Sequence, residues 1–167
     1  MVFLPSKLAR HLRSSSLLSI GLVAGLAGGA AEVVWIVFYM GLTGGEAALV
    51  ARGVTATLGT TYAGASWAIS VGIAIHMALA IGLGIVIVIM LRAYAPRLTG
   101  TLAEPFAVVG ILIAVWATNF FVVLPMINPE FVGLVPYGAS LASKVLFGAS
   151  TALVMHLWPA RQSKAQT

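Results

Sequence analysis

Trp67–Leu91 reads WAISVGIAIHMALAIGLGIVIVIML, 25 residues without one Asp, Glu, Lys or Arg. A helix rises about 1.5 Å per residue, so this run exceeds the ~30 Å hydrocarbon core of a bilayer. No polar face interrupts it, and the charge-free region around it begins at Gly53. Three further runs have the same character. Leu17–Leu42 holds one charged residue, Glu32; Ala103–Leu124 holds only Glu104, near its start; Gly138–Trp158 holds only Lys144. Spans at 17–42, 67–91, 103–124 and 138–158 predict an all-α bundle of four transmembrane helices forming a single membrane domain over 1–167.

Composition excludes the alternatives. Sixty per cent of the chain is hydrophobic and 8% charged, with a mean hydropathy of +1.06. Thirteen charged side chains cannot solvate a water-soluble domain of 167 residues. Cysteine is absent, which removes disulfides, thiolate catalysis and zinc–thiolate or iron–sulfur ligation.

The bases set the expected orientation. Lys7, Arg10 and Arg13 precede the first span, Arg92 and Arg97 separate the second from the third, and Arg161 and Lys164 follow the fourth. Four crossings put these seven on one side, leaving Arg52 in a loop on the other and Lys144 within a span. The positive-inside rule then predicts cytoplasmic termini and outer loops at 43–66 and 125–137. A net charge of +5 is accounted for by topology and anionic headgroups, so nucleic acid is set aside as a partner. The N-terminus resembles a signal peptide, with Ala30-Ala31 near a cleavage point. Val33–Phe38 continues the apolar run, which favours a retained anchor forming the first helix.

The outer loops carry their own signals. Glu46–Leu58 reads as a short amphipathic helix lying on the membrane. Pro125, Pro129 and Pro136 stiffen the second loop, and Asn128-Pro129-Glu130 predicts a helical turn with Asn128 as its capping side chain.

Small residues mark the faces expected to pack. Gly21, Gly25 and Gly29 recur every four residues on the first helix, with Gly28 adjacent. Gly72, His76, Ala80 and Gly84 form one ridge of the second, and Ser140, Lys144, Gly148 and Ala152 one of the fourth. In lipid such ridges let backbones approach closely. The third helix has few small residues and reads as the outer, lipid-facing wall.

Each helix also contributes one strongly polar residue: Glu32, His76, Asn119 and Lys144. Counted from the outer ends of their spans, all four lie roughly 8–15 Å deep. Intramembrane acids are functional by default, and the four make a candidate polar site. The competing reading is structural: an ion pair between Glu32 and Lys144, a Lys144 that snorkels outward, and interhelical hydrogen bonds from His76 and Asn119. No catalytic acid, base and nucleophile cluster, so no enzyme is expected; Ser140, Ser143 and Ser150 read as packing residues. No metal site or cofactor is expected either. His76 and His156 differ by ~20 Å in depth, too far to flank one haem iron, although a haem with the single ligand His76 stays open. His11 and His156 share one side without a third ligand.

The run Asn119–Pro125, then Asn128-Pro129, Pro136-Tyr137 and Ser143–Gly148, resembles small uncharacterised bacterial inner-membrane proteins, some labelled automatically as sodium:proline symporters. The four-span plan resembles the YagU-like inner-membrane proteins. The resemblance covers the second half of the chain, implies a multi-pass protein of the bacterial inner membrane, and assigns no binding residue. Transporters of the symporter class need inverted repeats and broken helices; four spans without a repeat would have to act as an oligomer. Two functions therefore compete. One is a small transport or ion/proton-permeation protein, a homo-oligomer around the Glu32 level. The other is an accessory or assembly subunit of a larger membrane complex, in the neighbourhood of a haem.

Overall fold

The computed structural model describes residues 6–164, with side chains described for 16–158. The helices are α1 (Ser6–Thr43), α2 (Ala47–Thr55), α3 (Ala68–Tyr94), α4 (Ala103–Thr118), α5 (Leu124–Ile127), α6 (Pro129–Val132) and α7 (Tyr137–Lys164). Among the described residues there are no strands. Four stretches among the described residues are long and apolar enough to cross a membrane: Ser16–Thr43, Ala68–Tyr94, Ala103–Ile127 and Tyr137–Trp158. The fold is the four-span helical bundle of a multi-pass membrane protein, with span ends within three residues of those read from sequence.

The spans are ordered α3–α1–α7–α4. α1 packs along both α3 and α7, and α7 packs along α4. Enclosure follows that order: in the most apolar 18 residues of each span, 39% are buried in α1 and 44% in α7, against 22% in α3 and 28% in the third span. The third span therefore has the exposed character expected of a wall, but α3 is enclosed even less. The reason is position, since both stand at the ends of the row.

α3 and α4 come together at the end carrying residues 95–102. Ile87, Val88 and Leu91 share a buried core with Val108, Leu112, Phe147 and Met155. There Arg92 is ion-paired with the buried Glu104. Arg92 also donates to Thr99 Oγ1 at 2.7 Å, and the Gly100 N–H donates to Glu104 Oε2 at 2.9 Å. The turn that delivers this N–H has φ +73° at Gly100, a conformation glycine adopts without a Cβ penalty.

At the opposite end, the short helix α2 is packed on α3. Thr55 is fully buried and its hydroxyl donates to the Ala68 carbonyl at 2.6 Å. A Cβ on Gly72 would overlap the Ala51 carbonyl oxygen, so glycine is what lets α2 dock.

Pro125 does not end the third span. The helix passes through one π turn, Asn119–Val123, where the Leu124 N–H reaches back to the Asn119 carbonyl, and continues to Ile127. Proline lacks an N–H, and in a regular helix its ring crowds the carbonyl four residues earlier; the widened turn makes room. Asn128-Pro129-Glu130 does start a helix, α6, but the Asn128 side chain makes no cap. Its Nδ2 donates to the Gly53 carbonyl at 2.9 Å, which ties the two loops together.

Candidate functional site

The site is built on a seam between α1 and α7. Trp35 Nε1 donates to the Ala139 carbonyl at 2.9 Å; next along, Glu32 meets Ser143 and Lys144; then Gly28 faces Phe147; then Thr151 donates to the Ala24 carbonyl at 3.3 Å. Each step of three or four along α1 is matched by four in the reverse sense along α7. This antiparallel register carries Glu32 to Lys144 rather than to another turn.

On the other flank of α1, glycines set the spacing to α3. A Cβ on Gly21 would lie 2.5 Å from Ile85 Cα, one on Gly25 2.5 Å from the Ala80 carbonyl oxygen, and one on Gly29 2.7 Å from Ala80 Cβ. Gly84 returns the contact onto Gly25. Backbones this close bring the His76 ring to α1, where Nε2 lies 3.3 Å from the Gly29 carbonyl oxygen. Gly148 plays the same part between α7 and α4, facing Val109 and Leu112. Gly21, Gly25, Gly29, Gly72 and Gly148 thus all lie at close helix contacts.

Three of the four polar residues meet. Glu32 is 3% exposed. Its Oε1 lies 2.6 Å from Lys144 Nζ and 3.0 Å from Ser143 Oγ. Its Oε2 faces His76 Nε2 at 3.8 Å, beyond hydrogen-bond length. The neutral tautomer with hydrogen on Nε2 donates to Gly29, and Glu32 Oε2 then keeps a free lone pair. Ser143 has a single hydroxyl proton and two acceptors in range, Glu32 Oε1 and the Ser140 carbonyl at 2.7 Å, so it serves one at a time. The acid is the deepest member: its side chain is 4% exposed, that of Lys144 19% and that of His76 27%.

Phe147 floors the site. Its ring is fully buried in the notch left by Gly28 and sits 5.8 Å below the Lys144 ammonium, within cation–π range. A second polar pair holds α4 to α7: Trp116 Nε1 donates to Ser140 Oγ at 3.0 Å, and that hydroxyl donates to the Tyr137 carbonyl at 3.0 Å.

Asn119 does not join the cluster. It opens the π turn, is partly buried, and forms no side-chain hydrogen bond with Glu32, His76 or Lys144. Ser143, which sequence reasoning treated as packing, does join it; adjacency to Lys144 was the only signal. Among the described residues no group of three His, Cys, Asp or Glu is placed to hold a metal. His156 is exposed on α7, roughly 18 Å along the helix from Lys144, and the cluster holds a single imidazole.

The arrangement can hold one carboxylate between two basic groups that lead outward from it, in a setting of low dielectric where each charge weighs heavily on the others. No protein-family model, curated protein or solved structure matches the chain, so its chemistry is read from this geometry alone.

Proposed function

We propose that this protein of the bacterial inner membrane, with both termini in the cytoplasm, is a small permeation protein that exchanges protons or a small cation at Glu32 and acts as a homo-oligomer. The observation that carries the reading is the graded access around one acid: a buried carboxylate contacted from α7 by an ammonium and from α3 by a partly exposed imidazole. Imidazole changes charge between pH 5 and 8 and has a second nitrogen to receive a proton. A proton taken at His76 Nδ1 allows Nε2 to release its own to Glu32 Oε2, after a small ring movement or through one water. Neutralising the acid weakens its hold on Lys144, which then moves toward the exposed side. Lys144 is the built-in counter-ion that any incoming cation must displace.

The test is flux into liposomes carrying the purified protein and a pH-sensitive dye. Wild type is expected to dissipate an imposed proton or cation gradient, and Glu32→Gln to lose that flux while keeping its helical circular dichroism. Wild-type flux no faster than empty liposomes, or an undiminished Glu32→Gln, would refute the proposal.

The seam favours a second reading. Glu32, Ser143 and Lys144 sit in the middle of the α1–α7 register, where a static clasp would also sit. On that reading the protein is an accessory or assembly subunit, and native purification in mild detergent would recover it with other subunits.

A further inference from the structure

Arg52 lies on α2, half-buried, and its guanidinium is fixed. Nη1 donates to the Ala63 and Ala65 carbonyls, both at 2.9 Å, which uses both of its hydrogens. The three N–H groups on Nη2 and Nε have no acceptor among the described residues, and no carboxylate lies within 4.0 Å of the guanidinium. Arginine stays charged at every accessible pH, and a partly desolvated charge is costly without a partner. An anion would complete it, and a fork of free N–H groups suits carboxylate or phosphate oxygens.

Arg52 borders a half-open cavity of about 350 Å³ whose other wall comes from the second loop. Asn128 and Glu130 stand on that wall, with Phe131 and Leu134, and Leu49 of α2 faces them. Asn128 Nδ2 is committed to Gly53, leaving its carbonyl oxygen as an acceptor. Glu130 is exposed and forms no ion pair among the described residues. One cation and one anion therefore border the same cavity, out of ion-pair reach of each other and with no other ion-pair partner among the described residues. A simple anion would satisfy Arg52 but meet the like charge of Glu130, and a simple cation the reverse.

We propose that this cavity binds a small zwitterion, its anionic group in the free fork of Arg52 and its ammonium toward Glu130 and the Asn128 carbonyl oxygen. The apolar walls of Leu49, Phe131 and Leu134 take the carbon portion. The charge pattern is shared by a free α-amino acid and by the headgroup of phosphatidylethanolamine. The proposal does not depend on the reading of Glu32.

The test is isothermal titration of the full-length protein in mild detergent. The probes are glycine, leucine and dihexanoyl-phosphatidylethanolamine, with acetate and ethylammonium as the single-charge controls. Saturable binding of a zwitterion at least tenfold tighter than either control is expected. Binding of the amino acids alone identifies a soluble ligand, and binding of the short-chain lipid alone a headgroup site. Arg52→Lys keeps the charge but loses the fork and should weaken binding at least tenfold. Glu130→Gln changes an exposed, unbonded side chain and should weaken it at least threefold without altering unfolding. No saturable binding of any zwitterion, or full affinity in Glu130→Gln, overturns the proposal. If Arg52→Lys fails to fold, Glu130→Gln decides alone.

Discussion

Removing the charge of Glu32 leaves the Lys144 ammonium in the seam with no carboxylate near it. Breaking one side of a buried ion pair costs about 3–5 kcal/mol. The Lys144 side chain retains 19% exposure and its contact with the Phe147 ring, so the low end applies, about 3 kcal/mol for Glu32→Gln. Lys144→Met removes the ammonium with little change in shape. Combined with Glu32→Gln it leaves no charge in the seam, and the glutamine carbonyl still accepts from Ser143. The double variant should therefore recover most of the loss; because Lys144→Met alone also leaves the carboxylate buried without its cation, the coupling energy should reach about 3 kcal/mol or more. Equilibrium unfolding in a denaturing detergent, followed by tryptophan fluorescence, measures it. The probes are well placed, because Trp35 and Trp116 both hydrogen-bond to residues of α7 and report its separation from α1 and α4. A coupling below about 0.5 kcal/mol, the scale of solvent-exposed pairs, would mean that Lys144 reaches water or headgroups and that the seam is not held by charge.

Gly25→Leu should destabilise the protein by about 3 kcal/mol or more, because even a Cβ there meets the backbone of α3; wild-type unfolding in detergent would mean that face meets lipid. Arg92→Gln leaves Glu104 buried without its cation and should cost about 3 kcal/mol, with proteolysis in the 95–102 loop appearing at lower protease concentration; an unchanged digest would count against the clamp. Asn119→Leu is expected to leave both stability and liposome flux unchanged, since its side chain bonds to none of the cluster; lost flux would return it to the site. Ser163→Cys should resist an impermeant thiol reagent in intact cells and react after lysis; labelling of intact cells would reverse the orientation.

Spans and packing faces were readable in the sequence for different reasons. Charge-free length alone locates the crossings, and four-residue spacing of glycine locates the faces where backbones touch, as Gly21, Gly25 and Gly29 do against α3. Counting residues also gives depth, which is why Glu32, His76 and Lys144 were placed at one level. Depth says nothing of direction, however. Asn119 has the right height but opens the π turn, on a helix with no small-residue ridge to indicate its inward face. Partnerships that depend on the order α3–α1–α7–α4 were equally hidden. Arg92 with Glu104, Ser143 with Glu32 and Asn128 with Gly53 join residues 12, 111 and 75 positions apart, and no local pattern encodes those encounters. The redirected Asn128 shows the limit most plainly: its sequence context is that of a cap, and a neighbouring carbonyl from another loop takes the side chain instead.

The seam has a consequence for how the chain is made. Its two halves belong to the first and last spans, so Glu32 enters the bilayer more than a hundred residues before Ser143 and Lys144 are synthesised. At about 5–20 residues per second that is a wait of roughly 5–20 seconds. During it the glycine face of α1 can already dock on α3, where the His76 ring stands beside the waiting carboxylate. The last span is the least apolar of the four, and its lysine, nearer one end than the centre, disfavours insertion by somewhat less than the ~2.5–3.5 kcal/mol of a mid-helix charge. An acid already in place gives that lysine a destination. The final helix is thus recruited by the first, and a chain lacking Glu32 should insert its C-terminal segment more slowly than wild type, even where the completed bundle still forms.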